Sequence, residues 1–181
     1  MKKFLSLIGI IILLTGCDLS KMYNTPTKQA EMFLSKYQSL DKEVMDDLDY
    51  VIGGEINLNE EQRNKYRNIM KKHYQDLVYN IKDEEVNGDI ATVIVEIEVT
   101  DYSKVLADAK NYFQSNPNEF LKEDGTYDHS KFIDYQLDKL KEAKDKVKYT
   151  LYLSFSKIDG KWQINKLSKS DEEKINGIYV Y

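Results

Sequence analysis

Asp89-Ile90-Ala91-Thr92-Val93-Ile94-Val95-Glu96-Ile97-Glu98-Val99-Thr100 alternates with period two, and its reading decides the fold. Ala91, Val93, Val95, Ile97 and Val99 share one face, while Glu96 and Glu98 point the other way, to water. A strand with one apolar and one polar face belongs to an antiparallel sheet packed on a core from one side. Immediately upstream, Tyr79 to Val86 reads as its partner, with Asn87-Gly88 as the hairpin turn. Much further on, Val147, Tyr149, Leu151, Leu153 and Phe155 repeat the alternation over Val147 to Ile158. Asp159-Gly160 turns that strand back into Lys161 to Leu167, where Trp162 and Ile164 join the apolar face.

Outside the hairpins the apolar period changes to that of a helix. Thr25-Pro26 is an N-cap followed by proline at the first helical position, and Ala30, Phe33, Leu34 and Tyr37 mark one face. Asp41 caps a second helix carrying Val44, Met45 and Leu48, which Gly53-Gly54 breaks. Asn59 with Gln62 forms a capping box that opens a third helix, whose stripe is Tyr66, Ile69, Met70, His73, Tyr74 and Leu77. Between the hairpins two more helices are expected, about Tyr102 to Ser115 and about Ser130 to Asp145, joined by a long loop over Asn116 to His129. Val105, Leu106, Ala109, Tyr112 and Phe113 face inward on the first, and Phe132, Ile133, Leu137 and Leu140 on the second. Ser170 with Glu173 reads as the cap of a brief terminal helix that Gly177 ends. Helices first, then antiparallel hairpins, define an α+β domain with helices on one sheet face.

At the N-terminus, Lys2 and Lys3 precede an apolar run from Phe4 to Leu14. The run is shorter than the roughly 20 residues a membrane span requires and has the length of a signal-peptide core. Leu14-Thr15-Gly16-Cys17 resembles the lipobox of bacterial lipoproteins, and Cys17 is the sole cysteine of the chain. The resemblance implies a signal peptide over residues 1–16, removed by cleavage, and a diacylglyceryl thioether on Cys17. Two acyl chains give stable attachment where one is marginal. Residues 17–25 would then be the lipidated cysteine and a short tether, and 26–181 a single domain. The expected location is the extracytoplasmic face of the cell membrane, close to the bilayer. Removing two lysines with the leader takes the formal charge from −5 to −7, which argues against nucleic acid as a partner. Abundant Lys, Ile, Asn and Tyr with only Arg63 and Arg67 fits a low-GC Gram-positive proteome.

The order of elements resembles the cone-shaped cystatin-like, or nuclear-transport-factor-like, superfamily. The residues that carry it are Thr25-Pro26, Asp41 and the closing hairpin Asp159-Gly160-Lys161-Trp162-Gln163-Ile164. The resemblance implies N-terminal helices packed on a curved antiparallel sheet, with the helices of 102–145 as a two-helix insertion between hairpins. It also implies a pocket between the concave sheet and the helices, which enzymes of the isomerase and cyclase type use with a buried carboxylate or histidine. The inward strand positions hold neither; among them only the Tyr149 hydroxyl is polar.

The candidate catalytic pair is His73 with Asp76 three residues on, a pocket base oriented by a carboxylate. The plainer reading of His73 is a satisfied residue at the core edge. Tyr149, Tyr74 and Trp162 are candidate binding residues. Asp128-His129 reads as helix capping, and Asp124-Gly125 lacks the alternating ligands of a calcium loop, so no metal or cofactor is expected. Of the 14 tyrosines, Tyr102, Tyr127, Tyr135 and Tyr152 lie off the core stripes and could form a surface patch. The expected function is a membrane-anchored module that binds a small apolar ligand or a cell-envelope protein. The alternative is a small isomerase- or cyclase-like enzyme using His73 and Asp76.

Overall fold

The computed structural model describes residues 24–180. The signal segment, Cys17 and most of the tether lie outside the described residues. The element order is α1 (Pro26–Ser39), α2 (Lys42–Gly54), α3 (Glu60–Gln75), β1 (Val78–Asn87), β2 (Ile90–Thr100), α4 (Tyr102–Ser115), α5 (His129–Glu142), β3 (Lys146–Ile158), β4 (Lys161–Ile164) and α6 (Lys169–Ile175). The strands form one antiparallel sheet in the order β1-β2-β3-β4. The fold is α+β, as the sequence pattern requires.

Local chemistry sets the helix starts. The Thr25 hydroxyl accepts from the Lys28 amide ahead of Pro26, and the Asp41 carboxylate accepts from the Glu43 amide. Asn59 and Gln62 exchange both bonds of the capping box, at 2.9 and 3.0 Å. Gln62 is buried, and its amide also donates to Ser130 and Asp134, which ties the start of α3 to α5. Asp128 caps α5 by accepting from Lys131.

The register pairs Val95 with Leu151 and Ile97 with Tyr149, so the apolar faces of β2 and β3 coincide. That face packs on Ala30 and Leu34 of α1, with Leu77, Trp162 and Ile175 around the rim, as one core. A second core contains no strand residue. It joins Val44, Leu48 and Ile52 of α2, Ile69, Met70 and Tyr74 of α3, Tyr102, and Ile133, Leu137 and Leu140 of α5, while Tyr37 touches both cores. The helices of 102–142 pack as a hairpin on α3 and not across the sheet. On the uncovered sheet face Glu96 pairs with Lys82 at 3.2 Å and with Lys148 at 3.5 Å.

Several boundaries differ from expectation. The first turn is Gly88-Asp89, because Asn87 pairs with Ile90 and only Gly88 of the two has a positive φ. Asp159 and Gly160 form the second turn as expected, both with positive φ, the pattern of a type I′ hairpin. β4 stops at Ile164 and not Leu167; the Asn165 amide still donates to the Ser154 carbonyl before the chain leaves the sheet. α5 ends at Glu142 and not Asp145, whose carbonyl accepts from the Asp101 amide and whose carboxylate pairs with Lys104 at 2.6 Å. The terminal helix is capped by Ser168, not Ser170, through the Asp171 amide. The connection over 116–129 is not featureless: Phe120 is buried against Phe113 and Phe132.

The chain end forms a clasp. Gly177 closes α6 in the left-handed region, and the amides of Gly177 and Ile178 return to Lys174 and Glu173 as a Schellman motif. A Cβ on Gly177 would lie 2.2 Å from the Thr100 carbonyl oxygen, so only glycine permits this approach. From here the Gly177 carbonyl accepts from the Ser103 amide, and the Asn176 side chain accepts from the Tyr74 hydroxyl. The clasp thus joins the end of β2, the start of α4 and the last turn of α3.

Candidate functional site

The space between α1 and the sheet, where the resemblance placed a pocket, is filled. Leu34, Val93, Val95, Leu151 and Phe155 are completely buried there, and Leu153 nearly so. The open space is elsewhere: a cleft of about 520 Å³ where the last turns of α3 and α5 meet the end of β2 and the start of β3. Ile69, His73, Tyr102 and Leu140 contribute its apolar wall.

The charged residues around it are Lys65 and Lys72 on α3, Lys141 on α5, Lys144 in the connector, Lys146 at the start of β3, and Asp76. Five cations face one carboxylate in a chain whose formal charge is −5. Lys65 pairs with Asp138 at 2.5 Å, and the Lys146 ammonium donates to the Thr100 hydroxyl at 3.2 Å. Lys72, Lys141 and Lys144 make no ion pair among the described residues. The acids interleaved with them in the sequence are used elsewhere, Glu142 by Lys139 at 3.4 Å and Asp145 by Lys104 at 2.6 Å.

His73 borders this cleft but is 1% exposed, stacked on the Tyr102 ring at 4.7 Å. Its Nε2 lies 2.8 Å from the Ile175 carbonyl oxygen. A carbonyl only accepts, so Nε2 carries the proton and Nδ1 is a bare acceptor, buried without a partner. Burial pushes the imidazole down to about 4, outweighing the Ile175 hydrogen bond, so the ring is neutral near pH 7. The expected orientation by Asp76 does not occur: both residues border the cleft, but the imidazole bond goes to the chain end. Burial likewise pushes the Tyr102 phenol up to about 12.

The other candidates lie away from the cleft. Tyr149 and Trp162 are buried in the sheet core, and the Tyr149 hydroxyl donates to the Tyr179 carbonyl. Tyr74 is buried in the helical core. The four off-stripe tyrosines do not form one patch. Tyr102 is buried, Tyr152 is exposed on the open sheet face, and Tyr127 and Tyr135 join an aromatic cluster with Phe113 and Phe120 at the far end of the helical hairpin. Among the described residues no group of three His, Cys, Asp or Glu side chains is placed to hold a metal ion.

The period-based reading of the sequence does not single out the cleft lysines. Three of the five, Lys141, Lys144 and Lys146, lie in the run Lys139-Leu140-Lys141-Glu142-Ala143-Lys144-Asp145-Lys146-Val147-Lys148, which reads as solvated surface because acids alternate with the cations. Nothing in the run shows that the acids turn away.

Residues 1–17 match the model of the prokaryotic membrane lipoprotein lipid attachment site. The chain is therefore a lipoprotein attached to a membrane through an acylated cysteine, Cys17. Among the described residues no helix is long and apolar enough to cross a membrane. No curated protein sequence matches the chain. A solved structure, described as a lipoprotein (YcdA) of Bacillus subtilis, is similar at 13% identity and a TM-score of 0.44. The match covers 90% of this chain, which spans about half that protein's length, 55%.

Proposed function

We propose that this lipoprotein is an extracytoplasmic binding module that takes a small anionic ligand in the cleft between α3, α5 and the end of the β2–β3 pair. The observation that carries the reading is the convergence of five lysines with a single carboxylate on one space of about 520 Å³. Ligand sites commonly fall in this range of size, with an apolar wall and a few directed polar groups. A small apolar ligand or a cell-envelope protein is the expectation from the sequence; the filled sheet core and the lysine-rich cleft favour a small anion instead. Helices followed by a four-stranded antiparallel meander support the cystatin-like cone as the parent architecture, with α4 and α5 as an addition between hairpins. A Gram-positive source is consistent with the lysine-rich composition.

The enzyme alternative rests on His73 and Asp76 bordering the same cleft. Against it, the neutral imidazole is buried and its one hydrogen bond serves the fold.

The test is thermal unfolding of the lipidated full chain in neutral detergent, with phosphate, citrate and neutral sugars compared at constant ionic strength. Saturating anion at a hundred times its Kd is expected to raise Tm by roughly 5–10 °C, from about 2.7 kcal/mol of linkage in a chain of this size. Equal Tm with and without every anion would overturn the reading.

A further inference from the structure

We infer that the cleft takes an oligoanion, a ligand with two or more phosphate-type groups, and takes it from the side away from the membrane. This rests on the anion-binding reading above and narrows it.

The first argument is spacing. Lys65 and Lys72 are seven residues apart on α3, about 10 Å along the axis at 1.5 Å per residue. Lys141, Lys144 and Lys146 stand on the opposite wall, spread from the last turn of α5 to the first residue of β3. One tetrahedral anion spans only a few ångströms and cannot reach both ends of such an array. A ligand with several linked anionic groups can.

The second argument is charge balance. Lys72, Lys141 and Lys144 share the cleft with no ion pair and a single carboxylate, Asp76, so the local charge is positive by more than one unit and suits a ligand of more than one negative charge. The chemistry of the donors fits phosphate. An ammonium is a point charge with three donors and makes no demand for the planar fork that carboxylate pairing uses. Neither arginine of the chain is at the cleft: Arg67 pairs with Asp49 at 2.6 Å, and Arg63 donates to the Glu55 carbonyl at 3.0 Å.

The third argument is position. The described chain begins at Asn24, which accepts from the Trp162 amide of β4 at 2.6 Å, and Thr27 donates to Glu84 of β1 at 2.8 Å. Both anchor points are near the hairpin turns. The cleft is at Thr100 and Lys146, at the other end of β2 and β3: about 36 Å along β3 from the Trp162 anchor and about 23 Å along β2 from the Glu84 anchor. From Cys17 to Asn24 the backbone reaches at most about 25 Å. A tether shorter than the distance from Asn24 to the cleft excludes a pose with the cleft pressed straight onto the bilayer, and this favours the cleft facing outward.

The experiment is isothermal titration of the lipidated full chain, held in phosphatidylcholine vesicles, with inorganic phosphate and with tripolyphosphate at equal ionic strength. Tripolyphosphate is expected to bind about tenfold or more tightly than phosphate, the value of one further charged hydrogen bond. The double variant Lys72→Gln, Lys144→Gln should lose that advantage, while Lys161→Gln, Lys166→Gln, the same charge change at the β4 end, should keep it. These lysines are all exposed, so their replacement leaves the fold intact. Equal affinity for the two anions would overturn the oligoanion and leave the binding module standing. No binding of either would overturn both. Loss of tripolyphosphate binding when phosphatidylglycerol is added to the vesicles would identify lipid headgroups as the source and overturn the outward-facing half.

Discussion

Two spaces lie between helix and sheet in this protein, and they have opposite fates. Between α1 and the sheet, every inward position from Ala91 to Val99 is apolar and essentially unexposed. Strand alternation places branched side chains in register across β2 and β3, and the face closes by interdigitation. Where α3 and α5 meet the end of the sheet, the walls are made of last turns and first residues. There the side chains are lysines, whose heads stay in water while their stems line the wall. Elements that run alongside each other seal a core; elements that merely end near each other leave a cleft. The open cleft of this lipoprotein is a product of termination, not of the sheet's curvature.

The most damaging test of that contrast is Leu151→Ala, in the sealed region. Truncating a fully buried leucine is expected to cost about 2–5 kcal/mol, read from the urea midpoint. Anion titration of the molecules that remain folded should be unchanged; a parallel loss of affinity would show that the two spaces are one.

Gly177→Ala strikes the clasp between the regions. A positive φ of 69° and a Cβ at 2.2 Å from the Thr100 carbonyl predict a loss of about 3 kcal/mol in chemical denaturation. Near-normal stability would mean that the clasp yields and does not brace the cleft wall.

Stability should also follow His73. Its imidazole is pushed down to about 4 in the folded chain, against an ordinary value near 6.5. Between these two pH values the unfolded chain binds a proton that the folded chain does not. The His73 contribution to stability is therefore complete above about pH 6.5 and is lost as pH drops toward 4, by roughly 3 kcal/mol in full. Urea unfolding at a series of pH values should trace that slope, and His73→Gln should flatten it.

The smallest effect is expected at Glu96→Gln. Its pairs with Lys82 and Lys148 are on the open face and screened by solvent, so the denaturant midpoint should move less than for any of the other variants.

Much of the fold is legible in single residues. Period two in Ala91 to Val99, the Asp159-Gly160 turn and the Asn59 and Gln62 box each act within a few positions, and each is found as expected. The boundaries that moved did so under contacts remote in the chain. Asp145 left the helix for Asp101 and Lys104, and the first turn slipped by one residue to suit the pairing of β1 with β2. The candidate site was legible only in part. His73 is at the cleft, yet its partner is Ile175, 102 residues away, which no spacing near His73 could indicate.

By itself the sequence determined where this protein is attached, through Leu14-Thr15-Gly16-Cys17, and that a helix-covered antiparallel sheet would form. Both depend on local order: a short motif in the first case and side-chain period in the second. Only the tertiary structure decided which lysines share a cleft. The sign of the field there depends on which way Glu142 and Asp145 turn: Glu142 is taken by Lys139 on the same helix, but Asp145 is turned away by Lys104, a partner remote in the chain.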